Sequence, residues 1–187
     1  MAERGVDVII AQGAEAGGFG GYVATIVLVP QVVAAVKPIP VLAAGGISDG
    51  RRLAAALALG AQGANIGTRF LAAEEATVAD EWKHAILTAR ADDAVKVDFW
   101  WEMRPPPAGE FDVIPRALRS PFIEQFLGEK DAAREEGEQL REQIGTAMAE
   151  GRMYEVVPLP GRAPARSRRS CPPPRSFAAS SPTPNRH

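Results

Sequence analysis

The sequence predicts an α/β fold in which short parallel strands alternate with helices. Three apolar runs, at residues 6–11, 39–44 and 64–66, each end at a glycine-containing loop, and helical patterns separate them. This alternation is typical of consecutive parallel βαβ units. Because the runs are apolar at almost every position, we expect strands that are buried on both faces.

The first two helices are predicted from apolar spacing and from residues that favour helix ends. One covers about residues 29–36. The other covers about residues 51–59, where Ser48 or Asp49 can cap the first turn and Gly60 can end the helix.

After the third strand the alternation stops. A third helix is predicted over about residues 74–90, with two glutamates at its favourable amino-terminal end. Residues 98–121 are rich in proline and aromatic residues, which predicts a long irregular excursion. Further helices are predicted over residues 121–128 and 129–150.

Length and composition predict one folded domain with an extension. The 187 residues, of which 46% are hydrophobic and 24% charged, suffice for one ordinary domain, which we place at residues 1–157. Residues 158–187 hold six arginines and eight of the 16 prolines. This segment has few apolar residues to offset the entropy of ordering, so we predict a disordered tail.

Charge and cysteine content indicate a small-molecule partner. The formal net charge of -2 gives no positive excess for binding nucleic acid or an anionic membrane. Cys171 is the only cysteine, which excludes an internal disulfide and a cysteine-rich metal site, and we predict no metal. No apolar stretch approaches the ~20 residues needed to span a bilayer. These features predict a cytoplasmic protein.

Two glycine loops follow neighbouring strands at the spacing of a phosphate site. Ala44, Gly45 and Gly46 follow the second strand, and Gly67 and Thr68 follow the third. Glycine lets the backbone approach a ligand closely, and a helix that begins just beyond it adds amide donors. Two successive loops of this kind match the phosphate site after strands seven and eight of a (β/α)8 barrel. They predict a phosphorylated ligand without specifying its chemistry.

Five segments form a larger pattern. They are residues 10–18 (IAQGAEAGG), 28–33 (LVPQVV), 40–47 (PVLAAGGI), 59–61 (LGA) and 67–71 (GTRFL). In this order and spacing they resemble the nitronate monooxygenase family, formerly called 2-nitropropane dioxygenase. The resemblance runs from about residue 6 to residue 158 and is most specific in the first 75 residues.

This resemblance implies an FMN enzyme on a TIM barrel that uses molecular oxygen to convert alkyl nitronates to a carbonyl compound and nitrite. By the family pattern, Gln12 and Gly17 would lie beside the flavin ring or ribityl chain. The phosphate would be held by Ala44, Gly46, Gly67 and Thr68, and the adjoining Gly18 and Gly45 complete the implied cofactor-binding set.

Phe19 departs from the family pattern. The family usually has histidine here, acting as the base that removes the α-proton of a neutral nitroalkane, and phenylalanine cannot accept a proton. A nitronate is already deprotonated, so its oxidation need not use that base. We therefore assign no catalytic residue, and we interpret His84 as a solvated residue on a surface helix.

By the family pattern, the first predicted strand of this sequence corresponds to the sixth strand of the barrel. The resemblance therefore implies the last three βα units of the barrel, with additional C-terminal helices. A typical barrel needs about 250 residues, so we expect that this chain does not close one alone. If the chain forms a homo-oligomer, the uncovered edge of its sheet is the expected cause.

Two alternatives remain open. FMN-dependent enoyl-acyl-carrier-protein reductases share the signature of residues 15–18 and the Gly67-Thr68 loop, and they require NAD(P)H. Oxidation of NADH with an enoyl thioester, without nitrite from a nitronate, would favour that class. The second alternative is a non-catalytic remnant of the barrel that binds a partner or nothing.

Overall fold

The computed structural model describes residues 5–103 and 113–158 of the chain. Apart from Pro158, the tail predicted at residues 158–187 lies outside the described residues. The strands are β1 (Ile9–Gln12), β2 (Gly18–Gly20), β3 (Val41–Ala44), β4 (Gly63–Asn65), β5 (Ala94–Lys96) and β6 (Ile114–Leu118). The helices are α1 (Thr25–Val36), α2 (Gly50–Ala58), α3 (Thr68–Leu71), α4 (Asp80–Thr88), α5 (Trp100–Met103), α6 (Pro121–Phe126), α7 (Lys130–Glu135), α8 (Gly137–Ala149) and α9 (Met153–Val156).

The first sheet is parallel and confirms the predicted α/β class. Its strand order is β1-β3-β4, and the register pairs Ile9 with Val41 and Leu42 with Gly63. Helices α1 and α2 connect these strands, and their apolar side chains pack with those of the sheet around Val29 and Ala56. Because the strands are parallel, their carboxyl ends meet at one edge of the sheet.

The expectation that the strands are buried on both faces is wrong for β1, and also for β4, in which no residue is fully buried and Asn65 is exposed. Ala11 belongs to the core that includes Val29, whereas Ile10 is 48% exposed and Val8, just before the strand, is 47% exposed. Side chains alternate between the two faces of a strand. Within the described ranges, the face that carries Ile10 is not covered in the way that α1 covers the opposite one.

A second sheet occupies part of the segment predicted to be irregular. Strands β2, β6 and β5 pair antiparallel in that order. Strand β2 lies in the glycine-rich segment predicted as a loop, and β6 and α5 lie within residues 98–121. The register joins Gly18 to Arg116, which are far apart in the sequence. Local composition did not indicate this pairing because the partner of each strand lies in a distant segment.

Several helices begin or end at residues other than those predicted, because turns or tertiary contacts set their ends. Helix α1 begins at Thr25 rather than near residue 29. Helix α4 begins at Asp80 rather than near residue 74, because turns closed by backbone hydrogen bonds occupy residues 73–78. The predicted helix over residues 129–150 is divided into α7 and α8. A Cβ on Gly137, at the start of α8, would lie 3.1 Å from the Glu102 carbonyl oxygen, so this helix begins in close contact with α5.

The ends of α2 confirm the prediction. The Asp49 carboxylate accepts a 3.0 Å hydrogen bond from the Arg52 amide, and Gly60 adopts a φ of 95° just after the helix.

The C-terminal helices form a second core against the antiparallel sheet. Its buried residues include Phe99, Trp100, Phe126, Leu140 and Ile144. Across the described part of the chain, none of the helices combines the length and apolarity needed to cross a bilayer.

Candidate functional site

A cleft of about 300 Å³ lies where β1, β3 and β4 end. Its walls are the loops that follow these three parallel strands, together with the start of β2. All eight residues predicted for the cofactor site line this one cleft: Gln12, Gly17, Gly18, Ala44, Gly45, Gly46, Gly67 and Thr68. Asn65 and Ile47 line it as well, although the sequence did not single them out. The fold therefore brings together three segments that are separate in the sequence.

The loop after β3 requires glycine at two positions. Gly45 and Gly46 have φ values of 110° and 71°, a region that residues with side chains rarely adopt. A Cβ on Gly45 would lie 2.9 Å from Thr25 Oγ1 and 3.0 Å from the Ala16 nitrogen. These contacts bring the loop after β3 directly against the loop after β1.

The other glycines leave space in the cleft. A Cβ on Gly18 or Gly67 would meet no atom within 4 Å. Within the described part of the chain, the amides of Gly46 and Ile47 have no hydrogen-bond acceptor. Backbone donors without a protein acceptor, beside open space, suit an anionic ligand such as a phosphate.

The first turn of α2 is occupied by its own cap. The Asp49 side chain accepts from the Arg52 amide and forms an ion pair with the Arg52 side chain. The Arg52 amide is therefore not available to a ligand in the cleft.

Gln12 connects the cleft to the second sheet. Its Nε2 donates a 2.6 Å hydrogen bond to the Phe19 carbonyl oxygen. The Phe19 ring packs edge-on against Trp100, with ring centroids 5.5 Å apart, and also contacts Trp101 at 5.9 Å. The side chain of residue 19 thus packs against two indoles, remains 41% exposed and offers no proton acceptor.

Glu15 secures the loop after β1 to the first turn of α1. Its Oε2 accepts hydrogen bonds from the Thr25 amide at 2.9 Å and from Thr25 Oγ1 at 2.7 Å. Burial raises the pKa of the Glu15 carboxyl, but the hydrogen bonds from Thr25 and the positive charge of Arg116 together hold it below its ordinary value. The carboxylate explains why α1 begins at Thr25, since it provides a cap from ten residues away in the sequence.

Glu15→Gln is expected to reduce the free energy of unfolding by about 1 kcal/mol at pH 7, because a partly solvated charged cap becomes neutral. The folded-state pKa is lowered, so the ionised cap stabilises the fold above the unfolded pKa, and this stability is lost as the pH falls through the folded pKa. Urea unfolding at pH 7 and pH 3 should show the difference from wild type shrinking at the lower pH. Glu142→Gln, an exposed change within α8, serves as the control and should have little effect. Equal losses at both pH values would contradict this role of the charge.

Arg116 is a buried charge that holds the same loop from the other side. It is 5% exposed, and its Nε and Nη2 donate to the Ala14 carbonyl oxygen at 3.1 and 2.8 Å. Its Nη1 donates to the Ala94 carbonyl oxygen at 2.7 Å. No sequence motif indicated a role for Arg116. The available signal was an arginine within the short apolar segment IPRAL, which indicates a buried and bonded guanidinium.

Lys96 is the second basic residue beside this loop, and no sequence motif indicated it. It is paired with Arg116 in the register of β5 and β6, and its Nζ donates to the Gly20 carbonyl oxygen at 2.6 Å. Burial and the nearby charge of Arg116 lower the pKa of the Lys96 ammonium to about 8.

His84 does not line the cleft. His84 is exposed on α4, as the sequence predicted. Among the residues described, no group of three or more histidine, cysteine, aspartate and glutamate side chains could hold a metal ion.

A parallel sheet that gathers glycine loops at its carboxyl edge is typical of TIM-barrel and related α/β proteins that bind phosphorylated ligands. The solved structure of FabK from Thermotoga maritima is similar to this chain, with a TM-score of 0.71 and 36% identity. That similarity covers 88% of this chain and 50% of the FabK chain. The fold is therefore that of part of a TIM barrel, which confirms the predicted fold class.

The nitronate monooxygenase family model matches residues 1–100, and the chain belongs to this family of oxidoreductases. The resemblance inferred from the sequence is confirmed. Members of this family are, in general, flavin enzymes.

Two curated relatives of this chain bear names for different activities. A Mycobacterium tuberculosis protein that bears a monooxygenase name is 57% identical over 95 residues, which are 51% of this chain and 25% of the relative. A Rhodococcus jostii protein named (3aS,4S,5R,7aS)-5-hydroxy-7a-methyl-1-oxo-octahydro-1H-indene-4-carboxyl-CoA dehydrogenase is 52% identical over 101 residues, covering 52% of this chain and 28% of the relative. The alignments span only about a quarter of the length of these relatives.

Proposed function

We propose that the cleft binds FMN and that the chain, as part of a closed barrel, oxidises alkyl nitronates with molecular oxygen to a carbonyl compound and nitrite. Gln12, Gly17 and Gly18 would lie along the flavin ring and ribityl chain. The phosphate would be held by the two glycine loops, at Ala44, Gly45, Gly46, Gly67 and Thr68. The observation that carries the proposal is that all eight of these residues line one cleft.

The donor set of the cleft fits a phosphate ester. The Gly46 and Ile47 amides have no acceptor within the described part of the chain, and the space beside Gly67 is open. The lining is mostly backbone and small side chains, so a phosphate can approach the amides closely.

The chemistry that FMN supplies when bound is the acceptance of electrons from the substrate and their delivery to molecular oxygen. This chain's residues bind and orient. Gln12 Nε2 is held against the Phe19 carbonyl oxygen, and Glu15 and Arg116 fix the loop between β1 and β2 from both sides. Because Phe19 carries no proton acceptor, we propose that the substrate arrives as the nitronate anion rather than as the neutral nitroalkane.

A second candidate function is the oxidation or reduction of an acyl thioester. It is favoured by the Rhodococcus jostii relative, whose name specifies a carboxyl-CoA substrate. The reductase alternative from the sequence analysis belongs to the same chemical class. Turnover would then depend on a thioester and a nicotinamide, and no nitrite would form.

As part of a closed barrel, the chain is expected to bind FMN and to release nitrite from propyl-1-nitronate in the presence of oxygen. Quenching of flavin fluorescence on titration measures FMN binding, and a colorimetric assay measures nitrite. NADH oxidation with an enoyl thioester is the parallel assay for the second candidate. Absence of FMN binding would contradict the proposed site. FMN binding with thioester turnover but no nitrite would replace nitronate oxidation with the second function.

A further inference from the structure

A second group of polar donors adjoins the cleft on the side of Gln12. A Cβ on Gly20 would lie 3.3 Å from Gln12 Nε2 and 3.7 Å from Lys96 Nζ. The two nitrogens therefore approach the same point beside a residue that has no side chain. Gln12 lines the cleft, whereas Lys96 does not line it and approaches it only through the shared point at Gly20.

The ammonium group of Lys96 is incompletely paired. Its Nζ donates to the carbonyl oxygens of Gly20 and Ile114, at 2.6 and 3.2 Å, and an ammonium has three N–H donors. No carboxylate of the described residues forms an ion pair with it. The groups that face it are the Arg116 guanidinium on β6 and the Tyr22 ring, whose centroid lies 5.6 Å from Nζ.

A half-buried cation without a carboxylate partner is unfavourable unless an anion approaches it. The second charge nearby is Arg116, which repels the ammonium and does not neutralise it. The positive charge beside Gln12 is thus available to an anionic ligand.

We propose that Lys96, together with Gln12, recognises the anionic head group of the substrate at the edge of the cleft. This inference rests on the proposed function and specifies it: the site selects planar anions of the nitronate or carboxylate shape over their neutral counterparts. Lys96 binds the negative charge that a nitronate already carries. Such a substrate needs no base to remove its α-proton, and Phe19 provides none.

The test uses propionate as a stable planar anion and propionamide as its neutral counterpart. Binding to the full chain with FMN bound is measured by calorimetry at pH 7 and pH 9. Propionate should bind at least about tenfold more tightly than propionamide at pH 7. Its affinity should fall about tenfold by pH 9, because a lysine with a pKa of about 8 is then largely neutral.

Three variants separate recognition from structure. Lys96→Met should weaken propionate binding about tenfold at pH 7 and leave propionamide binding unchanged. Lys96→Arg should keep propionate binding at pH 9, since arginine stays charged. Lys83→Met is the matched control, because Lys83 also donates to a backbone carbonyl, that of Glu74, but lies on α4. If Lys96→Met does not fold, the comparison of wild type with Lys96→Arg across pH still decides.

Absence of propionate binding, unchanged binding in Lys96→Met, or a persistent pH dependence in Lys96→Arg would each overturn the inference. The nitrite assay distinguishes this from failure of the proposed function. If propionate binding depends on Lys96 but no nitrite forms, the anion site is supported and the proposed reaction is refuted. If nitrite forms but propionate binding does not depend on Lys96, the proposed reaction is supported and the anion site is refuted.

Discussion

Gly67→Leu is expected to weaken FMN binding by about a hundredfold or more while leaving the fold intact. Gly67 has a φ of -98°, which other residues adopt readily, and a Cβ there would meet no protein atom within 4 Å. The added side chain therefore costs the protein little, but it fills space in which the phosphate would lie against the backbone. Titration of flavin fluorescence gives the affinity, and thermal unfolding followed by circular dichroism reports on the fold.

Gly145→Leu is the matched control for this change. Gly145 also has open space around its Cβ position, but it lies on α8, away from the cleft. It should leave FMN affinity at the wild-type value. Full flavin occupancy in Gly67→Leu would refute the phosphate position. Gly46 is a less informative site for this test because its φ of 71° would strain any replacement, and a loss of binding could then follow from misfolding.

Phe19→His is expected to raise the kcat/KM for neutral 1-nitropropane by at least about a hundredfold, because it introduces a general base. Activity with propyl-1-nitronate should change far less, since that substrate has already lost its α-proton. The new activity should increase as the pH rises through about 6.5, where histidine becomes neutral. Nitrite release from each substrate, measured across pH on the full chain, checks the result.

Phe19→Leu separates the effect of the base from the loss of the ring. Both variants remove the aromatic contacts with Trp100 and Trp101, but only histidine can accept a proton. Leucine should therefore give no gain with the nitroalkane. Equal gains in both variants, or no gain in Phe19→His, would show that a histidine at position 19 does not act as a base on the nitroalkane.

The parallel half of the fold could be predicted because its signals are local. Apolar runs that end in glycine indicate β1, β3 and β4, and Asp49 and Gly60 mark the ends of α2. The glycine loops could be found in the same way, since the positive φ at Gly45 and Gly46 is a property of each residue. That all eight predicted residues line one cleft follows from parallel strands, whose carboxyl ends share an edge.

The antiparallel sheet could not be predicted from these local signals. Strand β2 has only three residues, two of them glycine, and its partner β6 lies far along the chain. Neither segment has a strand pattern strong enough to stand alone, so the pairing is decided by the packing that joins them. The start of α1 is similar, because its cap is the distant Glu15 and not a neighbouring residue.

The sequence by itself determined the α/β class, the family and the eight residues that line one cleft, because glycine loops and apolar runs act through each residue's own conformational preferences. Only the tertiary structure decided the positions of Arg116 and Lys96 and the setting of Phe19. A charged side chain in a short strand has no pattern that reveals its partner. The burial of such a side chain and its carbonyl acceptors arise only when distant strands come together in one sheet. The same is true of the lowered pKa of Lys96.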